Sequence, residues 1–266
     1  MPPTSPSSTT DSPAASSPDA HSRARTCAIH QPNLFPRLST LAKLYAADTW
    51  IVLDDVQFAR RDHQHRTRLA PLQDADRWRW LSIPTHLPHG RRTAIRDAHI
   101  VDPARARNRT ESMLRQEYGT SRHWPTLRSA LDPVWPAFDT GRTAVVAEAS
   151  TRALLNLLGW RGRVVKASTF PTHPGRSRRL ADLTQAAGAD IYLCGTGGMT
   201  YLDPTPFTSQ ALTVIPFLPP PTGTHPQARQ VTALWTLAHL GPTALATRLD
   251  HGPRFGRPAN SGGLRS

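Results

Sequence analysis

The chain has 266 residues, 38% of them hydrophobic, and a formal net charge of +13. That is apolar material for one sizeable core or two small ones, and no apolar run approaches the roughly 18 residues of a membrane helix, which excludes an α-helical span. Among the 32 basic residues only Lys43 and Lys166 are lysines, a bias of the kind codon composition imposes, so the charge alone does not single out nucleic acid as the partner.

Residues 1–26 are almost entirely Ser, Thr, Pro and Ala after the first Met. Such a segment buries too little apolar surface to offset its ordering entropy and is expected to be disordered. It also lacks the apolar centre of a signal peptide. A strand is predicted over 26–31 (TCAIHQ), cut off by the prolines of PNLFP. Leu38, Leu41, Leu44 and Tyr45 recur with helical spacing within 37–48. TWIVLDD, at 49–55, is an apolar run ended by two acids, as in a strand buried on both faces. Strand, helix and strand in such close succession predict a βαβ unit.

RWRWLSIP (77–84) reads as a strand and HLPHGRR (86–92) as a loop. Residues 106–119 read as a helix with Gly119 at its cap, and 124–138 as short, proline-broken helical turns. The strongest helical pattern covers 142–159. RVVKAS (163–168) is a predicted strand, 177–190 a helix with Gly188 near its end, and IYLC (191–194) a strand followed at once by GTGG. LTVIPF (212–217) is a further strand, and VTALWTLAHLG (231–241) the last clear helix, stopped by Gly241 and Pro242. From 251 the chain turns to Gly, Pro, Arg and Ser, a flexible basic tail. The prediction is one α/β domain over 27–250, its mainly parallel sheet flanked by helices in a Rossmann-like layering.

In such sheets ligands bind outside the carboxyl ends of the strands, where the strand order reverses. Three polar stretches follow directly on predicted strands: HQPN, DDVQF and CGTGG. In the first, His30 suits proton transfer near neutral pH, against a strand-end histidine satisfied by the backbone. Gln31 and Asn33 either orient a substrate or brace the turn. Asp54 and Asp55 point to opposite faces while the strand lasts. One of them offers a general base or an acceptor for a substrate hydroxyl or amine; the bland alternative is a loop cap, or a pair with Arg60 or Arg61.

Arg66 and Arg68 share a face if extended and can grip a carboxylate or phosphate, against the solvated charge run that such stretches usually are. Gly195, Gly197 and Gly198 permit close backbone approach or positive φ, so that amides line an anion site. The stretch is neither a Walker loop nor a dinucleotide fingerprint. Cys194 reads first as a buried, inert thiol, and Trp78 with Trp80 as core. The 12 histidines and the cysteines Cys27 and Cys194 have no metal-ligand spacing, which suggests a reduced, cytoplasmic protein. No metal, nicotinamide or flavin motif is present, and the cofactor is left open.

HQPNLFP, LDDVQF, HRTRL, WLSIP, AAGADIYLCGTGG and YLDPTPF, in that order, resemble the WbqC-like family, named for members in loci of bacterial O-antigen polysaccharide synthesis. The resemblance extends over about 27–241. It implies a biosynthetic role, in glycans or specialised metabolites, and no established reaction. By motif position it implies Asp55, with Asp54 and His30, as catalytic candidates. Gln31, Asn33, Gln57, Arg66, Arg68, Gly195, Gly197, Gly198, Tyr201 and Asp203 become candidates for substrate binding. The chain departs from the family at Trp235 and His239, where an aspartate and an asparagine are usual, and in the shortened segment PPPTGTHPQARQ. His63 and His65 stand where tryptophan and asparagine are usual. Site chemistry then suggests a group or acyl transferase with an anionic amino- or nucleotide-sugar, or a carrier-bound metabolite, as substrate. A non-catalytic binding relative is the alternative, and a nucleic-acid-associated basic protein ranks behind both.

Overall fold

The computed structural model describes residues 24–219 and 229–251. The expected tails at 1–23 and 252–266, and residues 220–228 of the proline-rich segment, lie outside them. The chain opens with β1 (Thr26–His30), α1 (Leu38–Tyr45) and β2 (Thr49–Val52), the predicted βαβ unit. It then leaves the sheet for a long excursion. β3 (Arg66–Leu69) pairs antiparallel with β4 (Arg79–Ser82), and β5 (Thr85–His86) with β6 (His99–Ile100). Helices α2 (Pro103–Tyr118), α3 (Trp124–Ala130) and α4 (Thr143–Leu157) follow. The sheet resumes with β7 (Arg163–Lys166), α5 (Arg176–Ala186) and β8 (Ile191–Gly195). Short helices α6 (Thr196–Met199) and α7 (Thr205–Thr208) lead to β9 (Thr213–Phe217), and α8 (Ala233–Leu240) and α9 (Pro242–Asp250) complete the described chain.

The main sheet has the order β7-β2-β1-β8-β9, and every neighbouring pair in it is parallel. The chain steps outward from β1 through β2 to β7, then crosses back to lay β8 and β9 on the other side of β1. The reversal therefore falls between β1 and β8.

Both faces are covered, and the period-two alternation of the strands explains how. Ala28, Trp50, Val52 and Leu193 face a core completed by Leu41, Leu154 and Leu234. Cys27, Ile29, Ile51 and Tyr192 face the opposite core, completed by Ala181, Leu183 and Phe207. Strands apolar on both faces are what a sandwiched parallel sheet requires.

Three expectations change. RWRWLSIP does contribute a strand, but in the β3–β4 ribbon rather than the parallel sheet. Its alternating arginines cannot line a strand covered on both sides. Its tryptophans are not core either: Trp78 is 37% exposed, and guanidiniums sit on both rings. Pro242 ends α8 but also opens α9, as the first helical residue after Gly241 at φ 81°.

Candidate functional site

Strands β1 and β8 are joined at only two positions, Thr26 with Ile191 and Cys27 with Tyr192. Past Cys27 they part. The carbonyl of Ile29 accepts instead from Nζ of Lys43, which reaches in from α1 at 3.3 Å. The parted strand ends open into a cavity of about 1080 Å³. It lies at the carboxyl edge of the sheet, at the point of reversal, where α/β folds of this order place their ligands.

The HQPN turn forms one wall through His30, Gln31 and Asn33. It is rigidly held. Leu34 N donates to His63 O at 2.9 Å, Phe35 N to Ser150 Oγ at 2.9 Å, and Thr151 Oγ1 to Asn33 O at 2.9 Å. Phe35, fully buried, is pinned at φ 41°, a conformation that a bulky residue keeps only when its surroundings impose it. Gln31 is fixed through Oε1, which accepts from Gln64 Nε2 at 2.6 Å.

His30 donates its Nδ1 hydrogen to the Gln31 carbonyl at 2.8 Å, which leaves Nε2 as the ring's acceptor. Burial first, and the nearby Lys43 charge second, push its pKa down to about 3. The imidazole is therefore neutral around pH 7. Lys43 lies beside it. It is 7% exposed, and burial lowers its pKa to about 8, opposed by the thiols of Cys194 and Cys27.

The opposite wall comes from the CGTGG stretch, with Cys194, Gly195, Gly197 and Gly198 all at the cavity. None of these glycines has positive φ, so the conformational reason offered for them does not apply. Their bareness does. A Cβ on Gly198 would meet Cys194 Sγ at 2.7 Å, one on Gly195 would lie 3.9 Å from Lys43 Nζ, and one on Gly197 would meet nothing within 4 Å. Burial pushes the Cys194 thiol up, which favours its reading as a buried wall residue over a nucleophile.

The DDVQF stretch is mostly taken up by the fold. Asp54, 5% exposed, accepts from Ser168 N at 3.1 Å and Ser168 Oγ at 2.8 Å, and so caps the turn after β7. Asp55 pairs with Arg179 of α5, and that arginine lines the cavity although Asp55 does not. Gln57 is exposed, bridges to Ala94 and stands off the cavity.

Arg66 and Arg68 share a face of β3, as extended spacing predicts, but they are not cavity walls. Arg66 lies over the Trp80 ring at 4.3 Å and Arg68 over Trp78 at 4.1 Å. Tyr201 does line the cavity, 69% exposed, with Arg176 over its ring at 5.5 Å. Asp203 braces the loop instead: its Oδ1 accepts from Thr205 N at 3.0 Å and its own N–H donates to Ser177 Oγ at 2.9 Å. The motif departures sit elsewhere. Trp235 is buried, donates to Pro71 O at 3.0 Å and packs on His239, and neither lines the cavity.

The residues that sequence reasoning passed over are the cavity's cations: Arg37, Lys43, Arg176 and Arg179, set against Asp62. Buried Nε atoms of Arg37 and Arg179 find no acceptor among the described residues. A concentration of cationic side chains around one cavity suits an anion. One signal was available: in a chain that uses arginine nearly everywhere, Lys43 is one of only two lysines.

The profile of the WbqC-like protein family matches residues 31–243. The chain is also similar to a Mycobacterium tuberculosis protein described as uncharacterized protein Rv1507c. The two are 25% identical over 189 residues, which covers 70% of this chain and 79% of that one. No solved structure matches.

Proposed function

The chain belongs to the WbqC-like protein family, and on that premise we propose that it is a biosynthetic enzyme that transfers a group to or from an anionic small molecule. The substrate class is an amino- or nucleotide-sugar or a carrier-bound metabolite, in cytoplasmic glycan or specialised-metabolite synthesis. A single α/β unit spanning 27–250 would carry the site.

The observation that carries this reading is the cavity between the parted ends of β1 and β8. Its wall includes Arg37, Lys43, Arg176 and Arg179. At about 1080 Å³, it is slightly larger than the roughly 300–1,000 Å³ usual for small-ligand sites. It would take a ligand of nucleotide-sugar size rather than a lone sugar. The arginines would hold the anionic part. Gln31 and the Nε2 of His30 would orient hydroxyl or amine groups, and Lys43 would exchange protons near neutral pH.

The test is direct. Purified protein is incubated with nucleotide-sugars and acyl or amino donors, and mass changes are followed. Turnover that falls in Arg37→Gln and Arg179→Gln is the expected result. Absence of both turnover and ligand-induced stabilisation across those compounds would remove the proposal. A binding role without turnover is the second reading, favoured by one observation: the chain's own groups engage both Asp54 and Asp55. Stabilisation by a ligand with no mass change would select it.

A further inference from the structure

Lys43 is the cavity cation whose chemistry is not explained by holding an anion. Elsewhere this chain meets its need for cations with arginine, save at Lys166 on the exposed end of β7. At position 43 the cation sits in the wall, 7% exposed, on the face of α1 that also brings Ser39 and Thr40 to the cavity. No carboxylate pairs with it among the described residues; its hydrogen bond is to the Ile29 carbonyl at 3.3 Å. An ammonium placed only to attract anions would be better served by a guanidinium, which keeps its charge when buried and forks onto oxyanions. A buried amine differs in what it can become: a free nucleophile.

The surroundings agree. Two thiols, Cys27 and Cys194, and the imidazole of His30 are the titratable groups acting on or beside it, and none is an anion near neutral pH. Burial holds the amine at a pKa of about 8, so half of it is free base at that pH. Gly195, on the facing strand end, keeps side-chain bulk away from Nζ: a Cβ there would stand 3.9 Å from it. Arg37 and Arg179 line the same cavity.

We propose that Lys43 is a covalent catalytic residue: its ε-amine condenses with the aldehyde or ketone carbon of a substrate whose phosphate or carboxylate is held by Arg37 and Arg179. This deepens the group-transfer reading and rests on it. Nζ attacks the carbonyl carbon, a C–N bond forms and the carbonyl π pair moves to oxygen. The two amine hydrogens and that oxygen then depart as water, leaving a C=N bond to Lys43. Hydrolysis reverses the step, and no oxidant or reductant enters. Exclusion of water from the wall favours the condensed form. The imine is the electron sink that lets a bond adjacent to the former carbonyl be made or broken.

The chain's two lysines make the test clean. The full chain is incubated with glyceraldehyde 3-phosphate or pyridoxal 5′-phosphate, reduced with borohydride, and mapped by peptide mass. Lys43 is expected to acquire the reduced adduct at least about tenfold faster than Lys166, which serves as the exposed internal reference. Uncharged glyceraldehyde should react more slowly at Lys43 than its phosphate, and inorganic pyrophosphate should protect. Lys43→Arg should lose the adduct while keeping pyrophosphate-induced stabilisation.

Labelling of Lys166 as fast as Lys43, or no adduct at Lys43, overturns the imine. If pyrophosphate still raises Tm in that case, the anion-binding reading of the cavity stands without it. If pyrophosphate raises no Tm and Arg37→Gln changes nothing, that reading fails as well. Equal labelling by glyceraldehyde and its phosphate overturns the assignment of Arg37 and Arg179 as the anion clamp. Mapping the wild-type chain makes the result independent of how any variant folds.

Discussion

Arg179 on α5 pairs with Asp55 at the carboxyl end of β2, 124 positions earlier in the chain. The carboxylate lies behind the cavity wall and the guanidinium forms part of it. Asp55 is thus placed to set the orientation of an anion-binding arginine, rather than to meet a substrate itself. Asp55→Asn is expected to weaken pyrophosphate binding by about three- to tenfold and to raise KM more than it lowers kcat. Both partners are partly exposed, at 21% and 24%, so stability should fall by about 1 kcal/mol or less. A large loss of kcat at unchanged KM would restore Asp55 as a base. Titration calorimetry and urea unfolding on one variant decide between them.

Asp54 makes the contrasting case one residue earlier. Its side chain is buried against the N–H and hydroxyl of Ser168. Asp54→Ala leaves those donors without an acceptor in a dry place and should cost about 2–3 kcal/mol in urea unfolding. Pyrophosphate affinity, measured where the variant is still folded, should stay within about twofold.

These two aspartates show what was legible in the sequence. Their place at the end of a buried strand was readable, because TWIV is apolar throughout and the acids stop it. The β1–α1–β2 unit, α5 with β8, and β9 were readable for the same reason: strands covered on both faces leave unbroken apolar runs, and helices leave a stripe. Partners were not readable. Whether Asp55 met Arg60, Arg61 or Arg179 depends on how α5 packs behind β2, and no local pattern encodes that. Lys43 was hidden by its setting, since on the side of the helix shared with Ser39 and Thr40 it reads as a solvated polar face until the strands bury it. Arg66 and Arg68 misled in the opposite sense: β3 faces the tryptophans of β4, and only the antiparallel register shows it.

Histidine burial predicts acid sensitivity. Burial, followed by Lys43, lowers His30 to about 3; burial, followed by Arg66, lowers His65 to about 4; the unfolded chain protonates both near 6.5. Between those values the unfolded state binds more protons, so stability is full above about pH 6.5 and declines as pH falls through the window. Each proton taken up on unfolding gives a slope of about 1.4 kcal/mol per pH unit. Urea midpoints measured from pH 7 to pH 4.5 should fall steeply in the wild type and less steeply in His30→Gln. An unchanged slope in that variant would show that His30 is protonated in the folded state.

The glycines of CGTGG separate by what surrounds them. Gly198→Ala drives a methyl group onto the Cys194 thiol, 2.7 Å away, and should cost about 1–3 kcal/mol. Adding Cys194→Ala should recover most of that loss, a coupling readable in a double-mutant cycle. Gly197→Ala meets nothing, so its stability should match the wild type within about 0.5 kcal/mol. Because Gly197 lines the cavity, the same variant should still weaken ligand binding. Full affinity in Gly197→Ala would mean that the ligand lies away from this wall.

Arg66 and Arg68 test how far the cavity extends. Their guanidiniums lie on the rings of Trp80 and Trp78, Arg66 also donates to the carbonyls of Asp62 and Arg61, and Arg68 to Gln230 Oε1 at 3.1 Å. Arg66 and Arg68 themselves do not line the cavity, although Asp62, which Arg66 contacts, does, so their guanidiniums are engaged from outside it. Arg66→Gln and Arg68→Gln should each leave pyrophosphate affinity within about twofold, while loss of a half-exposed cation–π contact lowers stability by about 0.5–1 kcal/mol. The tryptophan emission should shift, because the polar group over each ring changes. Tenfold weaker binding in either variant, with Arg37→Gln silent, would move the anion site out of the β1–β8 cleft and onto the β3–β4 ribbon. Lys43 and the glycine wall would then lose their claim on the substrate. The pair of ribbon variants is therefore the sharpest control on the site's location.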